Sequence, residues 1–157
     1  MIKILIGGSP CTFWSIAQKN NRETEAEGIG WELFKNYLIA KQKFKPDFFL
    51  YENNKSASKE IKNQIGKELG VHDGLFSLTE ETGARYIEIN SALVSAQTRQ
   101  RFYVHNCGDV GQPEDRGILL KDILDSGCVD REKSYCLKRQ SGNTRDYFKK
   151  ETYSDSV

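Results

Sequence analysis

The order strand, helix, strand, helix over residues 2–70 predicts an α/β fold, and three observations carry it. Ile2–Ile6 is an apolar run broken only by Lys3 and ended by Gly7-Gly8-Ser9-Pro10; its β-branched residues and terminal breakers mark a buried strand. Trp31, Phe34, Tyr37 and Leu38, with the stem of Lys41, recur at helical spacing, and Pro46 closes the connection after them. Phe48–Tyr51 is an uninterrupted apolar run that stops at Glu52-Asn53-Asn54, the pattern of a strand covered on both faces. Two parallel strands joined by a helix follow from these runs. Ser58 then caps a second helix in which Ile61, Ile65 and Leu69 share one face, and Gly70 stops it. Tyr86–Ile89 and Phe102–Val104 are two further strands, near enough in sequence to pair antiparallel, and Ile118–Leu124 is a short helix. Gln18–Glu27 is polar and reads as mobile. From Arg131 onward the chain has seven basic and four acidic residues, few aliphatics and no period, so it reads as a frayed tail.

At 157 residues the chain has room for about one domain, and 38% hydrophobic residues supply a globular core. No apolar run nears the roughly 20 residues of a membrane-spanning helix, and MIKILIGG is not a secretory leader, so no membrane and a cytoplasmic location are expected. A formal charge of +1 gives no global field toward nucleic acid, so any polyanion site is local. Cys11, Cys107, Cys128 and Cys136 contain no CxxC pair, and His72 and His105 have no partner at ligand spacing. Neither a disulfide framework nor a metal site is expected, and both histidines read as ordinary surface or edge residues. Open α/β sheets bind ligands beyond the carboxyl ends of their strands, where Ser9-Pro10-Cys11 and Glu52-Asn53 would share one rim.

Three motifs now stand in order: GGSPCTFWS (Gly7–Ser15), YEN (Tyr51–Asn53) and AQTRQR (Ala96–Arg101). In order and approximate spacing they resemble the DNA cytosine-5 methyltransferases, supported by Glu27-Gly28-Ile29-Gly30 before the helix and by Asn90–Ser95 before the arginine motif. The resemblance covers about residues 4–124. It implies a partial Rossmann-like sheet of the S-adenosylmethionine-dependent methyltransferases, with residues 1–125 as part of the catalytic domain. Residues 126–157 would then be a polar tail or the start of a target-recognition region. Cys11 would be the nucleophile that adds to carbon 6 of cytosine, since covalent attack turns a poor carbon nucleophile into a reactive enamine. Glu52 would be the acid facing the pairing edge of the base. Arg99, the stronger candidate of the two arginines, and Arg101 would hold the base carbonyl or nearby backbone. Ser9, Pro10, Asn53 and Gln97 would line the substrate site, Gln97 chiefly as support. DNA is the implied partner, and the target base must leave the duplex to be reached.

Taken singly, these residues have plainer readings: Cys11 a turn filler, Glu52 a helix cap, Arg99 and Arg101 a solvated face. Their joint order favours chemistry. The resemblance further implies S-adenosylmethionine as methyl donor, yet no helix-opening glycine-rich loop and no acidic ribose partner precede Ile2. The chain is therefore expected to be a fragment or split subunit that needs a complementary methyltransferase chain or segment, and to present an unpaired apolar sheet edge. A catalytically silent remnant that binds DNA or a protein is the alternative. A thiol hydrolase is disfavoured, because neither histidine has a partnering context.

Overall fold

In the computed structural model the described residues are 1–18, 20–71 and 83–135, and both His72 and Cys136 lie outside them. The elements are β1 (Ile4–Gly7), α1 (Gly28–Phe44), β2 (Phe48–Asn54), α2 (Lys59–Leu69), β3 (Arg85–Asn90) and β4 (Gln100–His105). They form a four-stranded sheet in the order β1-β2-β4-β3. β1 and β2 are parallel, Ile4 facing Phe48 and Gly7 facing Tyr51, as the intervening helix predicts. β4 runs antiparallel to both β2 and β3, so the expected antiparallel pair is present and also supplies the second neighbour of β2.

Both helices lie on one face of this sheet. Alternate strand residues Phe49, Tyr51, Phe102 and Val104 are buried in one cluster with Trp31, Phe34 and Tyr37 of α1 and Ile61, Ile65 and Leu69 of α2. Edge-on aromatic contacts join the layers, with Phe34 and Tyr37 at 5.2 and 5.0 Å from the Tyr51 ring. α2 begins and ends as its sequence predicts: Ser58 Oγ accepts from Ile61 N, and Gly70, at φ 96°, donates back to Gly66 O and Lys67 O. The buried ammonium of Lys62 ties α2 to β3 by an ion pair with Glu88, which also holds Lys55. Burial works to raise the Glu88 pKa, but hydrogen bonds from Tyr86, Lys55 and Lys62 prevail and hold it below the usual carboxylate value.

Several expectations need correction. The first strand is not buried: it spans Ile4–Gly7 and leaves Ile4 and Ile6 exposed, because it lies at the sheet edge with one face uncovered. β2 is covered on one face only: Phe49, Tyr51 and Asn53 are buried, whereas Phe48 is 41% exposed. β2 also continues through Glu52-Asn53-Asn54, because β4 pairs with those residues after β1 has ended. Residues 118–124 form only a 3₁₀ turn at Leu120–Ile123. The polar stretch after Gln18 is pinned by Arg22 and Glu23, and Glu132–Ser134 are bonded to the body of the protein rather than frayed. His105, finally, is 3% exposed at the end of β4.

The open face carries Ile4, 57% exposed, and Ile6, 71% exposed, beside Phe48. β1 is an edge strand, and among the described residues nothing pairs with its outer side. Such an edge is a template for another strand.

His105 also makes stability depend on pH. Its Nδ1 accepts from Cys107 N at 3.2 Å, and burial, followed by the charge of Arg85, holds its pKa below the ordinary 6.5. Because the unfolded chain takes up this proton first, stability is full above about pH 6.5 and falls as the pH drops below it. The urea midpoint should therefore be lower at pH 5.5 than at 7.5, and His105→Asn should remove a measurable part of that difference. An unchanged difference would exclude His105 as its source.

Candidate active site

The loop after β1 is fastened to β2 by a small polar group. Asn53, 1% exposed, donates through Nδ2 to Ser9 O (3.0 Å), Ser9 Oγ (3.1 Å) and Tyr51 Oη (2.9 Å), and Ser9 Oγ lies 2.7 Å from the Tyr51 hydroxyl. Burial pushes the Tyr51 hydroxyl above its ordinary pKa, against the hydrogen bonds of Ser9 and Asn53, so it stays a neutral hydrogen-bonding group. Gly8 passes so close to β2 that a Cβ there would collide with the Glu52 carbonyl oxygen. Only glycine allows that approach.

Cys11 follows at once, half-buried, while Pro10 is exposed. The chain turns sharply after the thiol: Trp14 N and Ser15 N both donate to Cys11 O, at 3.1 and 3.0 Å. Trp14 is fully buried and anchors this turn, its indole N–H reaching Glu23 Oε2 at 3.2 Å. The Glu23 carboxylate also receives Gly30 N at the start of α1, where unpaired N–H groups favour an anion. Arg22 spans the gap to the loop after β2, donating through Nε to Trp14 O and through Nη2 to Ser56 O (2.6 Å). Sequence reasoning missed Arg22 and Glu23, since a charged residue in a polar stretch has no local mark of what it will touch.

Glu52 points to the other face of β2. Across the sheet it meets Arg101 of β4, with Nε–H donating to Oε1 at 2.7 Å, and the two side chains are 36% and 13% exposed. Glu52 pairs directly with Tyr103, so Arg101 is its diagonal neighbour, a position long side chains reach easily. Arg101 also donates through Nη1 to Gln100 O. Arg99 is exposed one step outside the ladder, and its backbone N–H is held by Asn90 Oδ1 at 3.1 Å. Gln97 accepts through its carbonyl from Ser91 Oγ at 2.8 Å and forms an isolated bridge with Ser134. Thus the loop after β1 brings Ser9, Pro10 and Cys11 to the end of β2, where Glu52 and Asn53 stand, and the start of β4 brings Arg101 beside Glu52, with Arg99 just before that strand. Of the two arginines, Arg101 makes the ion pair with the Glu52 carboxylate described above.

Cys11, Cys107 and Cys128 are free thiols. Cys107 lies at the other end of the sheet, where its Sγ faces Phe49 O at the start of β2. Among the described residues no group of three or more His, Cys, Asp and Glu could hold a metal ion, and no helix is long and apolar enough to cross a membrane.

A half-buried thiol, a carboxylate and an arginine ion-paired to it thus stand at one strand-end rim of an α/β sheet. Residues 1–105 match the family described as C-5 cytosine-specific DNA methylase, so the chain belongs to that family. No curated protein matches it. The four-stranded sheet with its helices is accordingly a partial Rossmann-like methyltransferase sheet. The family is one of S-adenosylmethionine-dependent methyltransferases, but the described residues do not fit that donor. No described strand leads through a glycine-rich turn directly into a helix, and a surface hollow of about 610 Å³ lined by Glu25, Glu27 and Glu60 is acidic and does not include Cys11.

Proposed function

We propose that this chain carries the cytosine-handling half of a DNA cytosine-5 methyltransferase. The observation that supports this most is the Glu52–Arg101 ion pair beside the loop of Cys11, built from three separated motifs. In this reading the Cys11 thiolate forms a bond to carbon 6 of an extruded cytosine, and the electron pair of the 5,6 double bond moves into the ring. Glu52, having taken up a proton from solvent before the base enters, gives it to nitrogen 3, so that charge does not accumulate there. Arg101 holds the Glu52 carboxyl group in place, and Arg99, exposed at the mouth, meets the base or a neighbouring phosphate. Ser9, Asn53 and Gln97 keep the loops at their separations, and Pro10 faces the substrate.

The methyl group comes from S-adenosylmethionine held by a complementary methyltransferase chain or segment. The uncovered edge of β1 and the exposed Ile4, Ile6 and Phe48 support that partner. Covering the exposed part of these side chains contributes a share of the roughly 1.5–3 kcal/mol that full burial of one such side chain gives, and so favours association. We infer a cytoplasmic setting, in keeping with three unpaired cysteines among the described residues.

Calorimetry and a methyl-transfer assay test this together. The purified chain should bind S-adenosylmethionine very weakly or not at all. Co-expressed with the neighbouring coding region that supplies the donor half, it should form a defined complex that moves labelled methyl to cytosine in DNA. Micromolar donor binding by the isolated monomer would overturn the split-site reading, and an intact complex that leaves cytosine unlabelled would overturn the enzyme reading.

A further inference from the structure

Arg99 and Arg101 enter β4 from the loop Ser91–Thr98, in which only Ala96 is buried. A loop with so little core needs its backbone held in other ways. On one side Asn90 Oδ1 accepts from both Ala92 N and Arg99 N at 3.1 Å, and Ser91 N donates to Arg99 O. On the other side two later segments dock. Arg116 N donates to Leu93 O at 2.8 Å, Ser134 N to Ala96 O at 2.7 Å, and Thr98 N to Ser134 O at 2.9 Å.

Lys133 joins all of these. Its Nζ lies 2.7 Å from Ala92 O, 3.2 Å from Ser95 O and 2.6 Å from Ile118 O, with the side chain partly buried. An ammonium has three donors, and here three carbonyl oxygens from two chain segments receive them. Each bond is charge-assisted, and none uses a counter-ion that a solvated lysine would prefer. Lys133 lies beyond residues 1–105, the part that matches the family.

We propose that Lys133 is a positioning residue: by fixing the carbonyls of Ala92 and Ser95 it sets the path of Thr98 and Arg99 into β4 and thereby keeps the Arg101 guanidinium on Glu52. Its service to methylation rests on the proposed function, whereas the positioning itself does not. Lys133→Met keeps an apolar stem and removes all three donors, and Lys133→Arg keeps charge and donors in a planar fork that cannot point three ways.

Amide hydrogen exchange and the arginine Nε–Hε resonances of the labelled chain test this without any activity. In Lys133→Met, exchange at Thr98 and Ser134 should accelerate about tenfold or more, as for a locally opened segment. The Arg101 Nε–Hε signal should shift or broaden, while the β2 amides of Phe49 and Tyr51 keep their protection. Lys133→Arg should fall between this variant and the wild type. Wild-type Thr98 exchange and an unchanged Arg101 signal would overturn the proposal, and so would equal loss of protection in β2, which would make Lys133 a general stabiliser. If Lys133→Met does not fold, the Arg101 signal in Lys133→Arg decides: displaced supports the proposal, unmoved overturns it. With a functional complex in hand, Lys133→Met should lower turnover. A wild-type complex without turnover would count against the methylation reading alone, since the resonances decide the positioning.

Discussion

Replacing Cys11 by alanine is expected to abolish covalent trapping on DNA that contains 5-fluorocytosine, with the donor half and S-adenosylmethionine present. The fluorine replaces the hydrogen that must leave carbon 5, so the enzyme stays bonded to carbon 6 and the complex survives denaturation. Cys11→Ala removes the sulfur assigned to form that bond. Geometry separates this thiol from Cys107, which faces Phe49 O at the start of β2, the opposite end of the sheet. Cys107→Ala should therefore trap like the wild type. The alanine at 11 should leave the fold intact, because the turn depends on the Cys11 carbonyl and on buried Trp14 rather than on the thiol. An adduct formed by Cys11→Ala would end the nucleophile assignment.

Glu52→Gln should lower methyl transfer by roughly two to four orders of magnitude, the range for losing a general acid. The amide oxygen of glutamine can still accept from Arg101 Nε, so the 2.7 Å contact and the packing of the strand pair have a substitute. What is lost is the proton for nitrogen 3. Single-turnover rates at saturating DNA separate the two, since a binding defect would vanish there and a chemical one would not. A glutamine variant with wild-type single-turnover rates would remove Glu52 from the mechanism.

Much of the site could be seen in the sequence because its parts are local. Ser58 and Gly70 bound α2 by capping chemistry alone, and the parallel pairing of β1 with β2 followed from two apolar runs with a helix between them. The three motifs were legible as motifs, and the ladder explains how they meet: β4 inserts beside β2 and carries Arg101 to Glu52. That insertion is a long-range choice with no local sign. Glu52-Asn53-Asn54 reads as a strand end because polar residues usually close an apolar run, yet β4 extends the strand through them. Tyr51, the last residue of an apolar run in the sequence, shows no local sign of a polar role. With its ring fully buried and its hydroxyl bound to Ser9 and Asn53, it is a fixed part of the cysteine loop's support. The anchors Arg22, Glu23 and Lys133 act on carbonyls and N–H groups that are distant in sequence or contributed by several segments, a pattern that composition and periodicity do not encode.

The most direct measurement of the whole account is the site of the covalent bond. The chain, assembled with its donor half, is incubated with S-adenosylmethionine and a duplex bearing 5-fluorocytosine, digested, and its adducted peptide sequenced by mass spectrometry. The account predicts a single adduct on Cys11, in the peptide that contains Ser9-Pro10-Cys11, carrying the methylated fluorinated cytosine. An adduct on Cys107, Cys128 or Cys136, or an assembled complex that binds DNA and donor and forms none, would contradict it.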